Sequence, residues 1–268
     1  MFHLPSSNTN KQGTHKKPKL PKHKTRRKKM GVIKSAIGDA ILTSIFVFFI
    51  STLRILSTKT SLFLNLQPVS LPGLFITTIL NTIIILTISL IGRILGGASF
   101  NPSSTISFYT LGLRPDSSLL SFAIRFPAQA IGGAIGIKSI LQVIPIEYKD
   151  MVKGPSLKVD LHTGAIAEGV LTFTHNFVIL LVMLKGPKNP WLKVYLLSVA
   201  TLVLVIIGSG YTGPSMNPAN AFGWAYMNNK HNTWEQFYVF WICPLIGASS
   251  AAMVYRFLFM SPVKEKKA

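Results

Sequence analysis

Six long apolar runs restrict this chain more than any other feature of its sequence. They cover about residues 36–56, 71–92, 119–144, 163–184, 192–209 and 236–259, and a membrane-spanning helix needs ~20 mostly apolar residues. A soluble helical core cannot hide so many runs of this length, because a soluble helix needs a polar face. Charged residues make up 13% of the chain, against about 25% in an ordinary soluble domain. The expected class is therefore an all-α membrane protein.

The net charge of +20 would suit a nucleic-acid partner, but its placement does not. Ten of the 28 basic residues lie between Lys11 and Lys29, in a Pro-, Lys- and His-rich stretch without apolar periodicity. Residues 1–29 read as a disordered basic extension beside anionic lipid, with no nucleic acid involved. The other basic residues sit at span ends. Six spans put both termini on one side, with Arg93, Arg114, Lys185, Lys188, Lys193 and Arg256. Lys59, Lys138, Lys149, Lys153, Lys158 and Lys230 fall on the other side with Arg54. The bias places both termini in the cytosol. No cleavable signal peptide is expected, and the first span would serve as an uncleaved signal.

Two polar segments interrupt the apolar pattern: Asn101-Pro102-Ser103 and Asn217-Pro218-Ala219. Asn followed by Pro suits a helix start, with Asn as the N-cap and Pro at the first helical position. A helix that starts inside a membrane leaves unpaired N–H groups and a positive dipole end at depth. That backbone must line a wet cavity or be buried in protein. The segments lie 116 residues apart (217 − 101) at matching places in an internal repeat. One half spans about 30–150 and the other about 151–260. Each opens with a span bearing one acid, Asp39 or Glu168, and each ends in a Gly-rich span with Gly132 or Gly247 in register. Three spans per half is odd, so the second half inverts. Two re-entrant half-helices then dip in from opposite faces. Their Asn amides would both donate to one passing water oxygen, while the dipole ends repel protons and cations.

Asp39 and Glu168 are buried-acid candidates. No Lys or Arg stands near either in its own span. That favours a structural role, accepting from backbone N–H groups of the re-entrant loops, over an ion-coupling role. His175 and Asn176 read as packing residues with local hydrogen bonds, and Cys243 as a small residue facing lipid or core. No metal-ligand cluster, phosphate loop or nucleophile arrangement appears, so neither an enzyme nor a cofactor is expected.

The paired Asn-Pro motifs, the two acids, Gln129 and Pro244-Leu245-Ile246-Gly247 resemble the major intrinsic protein, or aquaporin, family. Met30 to Asp39, Arg125-Phe126-Pro127-Ala128-Gln129, Gly154-Pro155-Ser156-Leu157, Asp160 to Glu168 and Tyr211 to Tyr226 resemble its plant small basic intrinsic proteins, first subgroup. The resemblance covers about residues 30–268 and implies a homotetramer with one pore per subunit, passing water or small neutral solutes across the lipid bilayer. Ser103 stands where most members have Ala, which should alter half-helix packing more than the Asn101 donor. Asn220 stands where orthodox water channels carry Arg at the filter. Pro214 and Val205 match two more filter positions, and Asn81 or Ile84 the fourth. The filter is then less charged than that of a strict water pore. In the basic tail, 261–268, Lys264 and Lys266 resemble a dilysine retrieval signal, which with the family points to the endoplasmic reticulum. A coupled transporter using Asp39 or Glu168 and a non-conducting scaffold are the competing readings.

Overall fold

The computed structural model describes residues 31–113 and 118–260; the N-terminal extension and the tail with Lys264 and Lys266 lie outside them. Six helices are long and apolar enough to cross a membrane, and two short ones are not. In chain order they are α1 (Val32–Phe63), α2 (Leu71–Ile94), the short α3 (Pro102–Thr110), α4 (Leu119–Val143), α5 (Leu161–Leu184), α6 (Pro190–Gly208), the short α7 (Pro218–Met227) and α8 (Trp234–Phe259). A 3₁₀ segment, Ile146–Met151, follows α4.

Most starts are written locally. The side chains of Ser70, Ser118, Asp160 and Asn189 accept from the first free N–H groups of α2, α4, α5 and α6, as N-caps do. Two helices depart from their apolar runs. α1 reaches Phe63, well past the expected end near residue 56. Its last two turns hold Ser57, whose Oγ bonds the Arg54 carbonyl at 3.1 Å, and Lys59, 4.7 Å over the Tyr148 ring. Thus the helix continues past its apolar run on polar contacts. α8 widens into a π turn at Tyr238–Ile242, just before Pro244. Proline has no N–H for the carbonyl four residues back and its ring crowds that carbonyl, so a wider turn relieves the clash.

The two halves pack as inverted copies. α1 lies along α4, and α5 along α8. Each half-helix packs on the last span of the other half, α7 on α4 and α3 on α8. Close approach at these crossings depends on glycine. A Cβ on Gly132 would overlap the Ala40 carbonyl, and one on Gly247 the Gly169 carbonyl. These are the two glycines that stand in register in the repeat. Small residues let helix backbones approach where no water drives them together. The outside is apolar, with Phe75, Leu90, Ile131, Val170 and Phe257 exposed, while Asp39, Arg125, Gln129, Glu168 and Asn176 are buried. That inversion suits lipid as the solvent.

Candidate functional site: two facing half-helix starts

α3 and α7 begin beside one another near the centre of the bundle, and each start is built by its Asn. The Asn101 side-chain oxygen accepts from the Ser103 N–H at 2.9 Å. That of Asn217 accepts from the Ala219 N–H at 3.1 Å. Both residues are extended and both are followed by Pro at the first helical position. The amide nitrogens then cross between the halves. Asn101 Nδ2 donates to the Met216 carbonyl at 3.1 Å, and Asn217 Nδ2 donates to the Phe100 carbonyl, also at 3.1 Å. Each amide has two hydrogens, so this reciprocal clasp spends one and leaves one on each residue for a ligand.

The two acids hold the loops that lead into these starts. Asp39, fully buried, accepts from the Ser99 N–H at 2.7 Å. Glu168, equally buried, accepts from the Ser215 N–H at 2.8 Å, the Met216 N–H at 3.2 Å and the Thr212 hydroxyl at 3.0 Å. Met216 is held with φ +49°. A non-glycine residue there costs ~1–3 kcal/mol and persists only where the surroundings fix it. Its N–H and C=O are both committed, to Glu168 and Asn101.

Asp39 also has a partner that its own span does not provide. Arg125 of α4 donates through Nε at 2.7 Å and Nη2 at 2.9 Å, and Gln129, one turn on, donates at 2.8 Å. The absence of a Lys or Arg beside Asp39 in its own span holds, and the cation comes instead from α4. The readable signal was a lone Arg in an apolar run, four residues before Gln129 and therefore on the same helix face. Among the described residues Glu168 makes no ion pair, so the two halves differ in charge.

The filter candidates are placed unevenly. Val205 is partly exposed on α6. Pro214 is buried against Gly208. Asn220 is turned back onto its own loop: its Nδ2 donates to Ser215 Oγ at 3.3 Å, and Ser215 Oγ donates to the Asn217 carbonyl at 2.7 Å. Ile84 packs against the Leu42 and Phe46 cluster. Asn81, on the same face of α2, is buried, and among the described residues its amide has no hydrogen-bond partner. Ser103 Oγ is likewise buried and unpaired. Asn176 makes the expected local bond, to the Thr172 carbonyl at 2.9 Å, whereas His175 bonds across to α6, to Thr201 Oγ1 at 3.1 Å. The described residues contain no His, Cys, Asp and Glu cluster fit for a metal ion.

Comparison with known proteins agrees with this architecture. Residues 26–255 match the family model for major intrinsic protein. Aquaporin SIP1-2 of Zea mays is 48% identical over 88% of this chain and 96% of its own length. Aquaporin SIP1-1 of Oryza sativa subsp. japonica is 47% identical over 89% and 98%. Among solved structures, the aquaglyceroporin from Plasmodium falciparum superposes with TM-score 0.63 at 17% identity, covering 85% of this chain and 97% of that one. At that identity the likeness speaks for the fold alone. Paired Asn-capped half-helices inside an inverted six-span bundle, together with these matches, make the chain a member of the major intrinsic protein family, a non-enzymatic channel of the small basic SIP1 aquaporin type.

Proposed function

We propose that the chain is a passive pore for water, with the two Asn-Pro starts as its central station. The observation that carries this reading is the reciprocal clasp. Each Asn amide keeps one N–H free beside the positive end of a half-helix. A water oxygen receiving both donors is oriented so that it cannot relay a proton in both directions, and the dipole ends disfavour cations. Asp39 and Glu168 then act structurally, by holding the loops. Asp39 is fully committed to Arg125, Gln129 and Ser99, which favours a structural role over a coupled transporter.

A second reading, passage of other small neutral solutes, is favoured by the filter. Val205 and Pro214 are apolar, and Asn220 is neutral and tied to Ser215. At the fourth position Asn81 is a better lumen candidate than Ile84, because its amide has no protein partner among the described residues and needs a polar solvent. Assembly as a homotetramer, cytosolic termini and residence in the endoplasmic reticulum through Lys264 and Lys266 complete the proposal.

Stopped-flow light scattering on proteoliposomes tests it, with an osmotic step of sucrose and then of glycerol. Fast shrinkage that is lost in Asn217→Asp supports the water pore. Shrinkage no faster than in protein-free liposomes, from folded and inserted protein, overturns it. Rapid re-swelling in glycerol supports the broader solute range.

A further inference from the structure

We propose that the His175–Thr201 pair between α5 and α6 is an acceptor station of the conduit, where the His175 Nδ1 lone pair takes a hydrogen bond from a permeating water or small hydroxylated solute. The inference rests on the channel reading above and adds a second contact point to it.

The tautomer of His175 follows from hydrogen-bond accounting. Thr201 Oγ1 has one hydrogen and donates it to the Leu197 carbonyl at 2.8 Å. The 3.1 Å contact between Thr201 Oγ1 and His175 Nε2 must then be donated by the imidazole. A neutral ring carries one N–H, so Nδ1 is a bare acceptor. It is buried and has no partner. Thr172 Oγ1, Asn176 Oδ1 and Ser198 Oγ are in the same condition, and their residues are at least nine-tenths buried. Four unpaired polar atoms on two adjacent apolar helices are costly in hydrocarbon. They are stable beside a hydrogen-bonding solvent.

The helix faces place this pair along the same axis as the Asn pair. Glu168, Thr172 and His175 stand at i, i+4 and i+7 on one face of α5, and Glu168 already bonds the loop into α7. His175 is therefore about 10 Å along the helix from that loop, toward the α5–α6 turn. Thr201 is one turn from Val205 on α6 and meets His175 across the α5–α6 contact. Donors at the Asn pair and an acceptor at His175 complement each other, since a water that accepts at the first still has hydrogens to give at the second.

Two measurements test this, and one does not depend on conduction. Water-edited solid-state NMR of ¹⁵N-histidine protein in liposomes, with His175→Gln for assignment, should give an unprotonated His175 Nδ1 that receives magnetisation from mobile water. A dry Nδ1, or a protonated one, would overturn the proposal whether or not the protein conducts. The second measurement uses a Cys243→Ser background, which removes the single cysteine. In it, His175→Cys and Thr201→Cys should lose water flow to the protein-free level on adding Hg²⁺, reversibly with thiol. Val170→Cys, on the lipid face of α5, should not. Water flow that resists Hg²⁺ in both variants would overturn the station, and Thr201→Cys carries the test if the His175 variant does not fold. A protein that is wet at His175 yet passes no water would sink the pore reading while leaving the polar station standing.

Discussion

At the scale of single residues, the Asp39–Arg125 pair is the most exposed to a decisive change. Both side chains are buried, and the carboxylate takes four hydrogen bonds from three residues. Removing one partner strands a charge, which costs ~3–5 kcal/mol. Arg125→Met should lower the thermal midpoint in detergent sharply, and adding Asp39→Asn should recover part of the loss. Equal losses in the single and double variants would show that the pair is not a unit. Asp160 gives a gentler, pH-dependent case. Hydrogen bonds from the Thr163 side chain and backbone, with that of His162, hold its carboxyl below the ordinary value of 3.8. A folded pKa below the unfolded one stabilises above the unfolded value, and the contribution is lost as pH falls through the folded one. The thermal midpoints of wild type and Asp160→Ala should differ at neutral pH and converge in acid below about pH 4.

At the scale of elements, the sequence exposed the helices well because bilayer thickness and apolar runs are the same constraint. The Asn-Pro caps marked α3 and α7 without any need of tertiary information. Ends were less legible. α1 outruns its apolar segment on Ser57 and Lys59 contacts that hydropathy counts as polar, and the π turn of α8 is set by Pro244 acting on residues before it. Contacts between distant helices were least legible. Asp39 and Arg125 are 86 residues apart, and no local pattern announces that pairing. Nor did the motifs reveal where the Asn amides point, since their acceptors are backbone carbonyls with no side-chain signature. Glycine in register was the better guide: Gly132→Leu and Gly247→Leu should each destabilise by at least ~1–3 kcal/mol through overpacking, while Ile131→Leu on the lipid face should be near neutral. Chemical unfolding in mixed micelles would measure the difference.

At the scale of the whole molecule, charge is absent from the candidate filter positions, and this sets the expected selectivity. Restoring a cation with Asn220→Arg should reduce glycerol entry several-fold relative to water, read in the same liposomes by the two osmotic steps. A variant with an unchanged glycerol-to-water ratio would place Asn220 outside the limiting constriction. The tie from Asn220 to Ser215 makes this a demanding substitution, so the Asn217→Asp comparison belongs beside it.

The reciprocal clasp also has a consequence in time. Asn101 and the carbonyl that receives its amide are separated by 115 positions. At a synthesis rate of ~5–20 residues per second, the ribosome needs roughly 6–23 s to deliver Met216 after Asn101. For that interval the first half-helix has its cap but not its partner, and a polar amide waits inside an apolar surrounding. Whatever receives the nascent chain must keep that segment wet or shielded until the second half arrives, so the insertion machinery is an obligatory, temporary stand-in for the missing half.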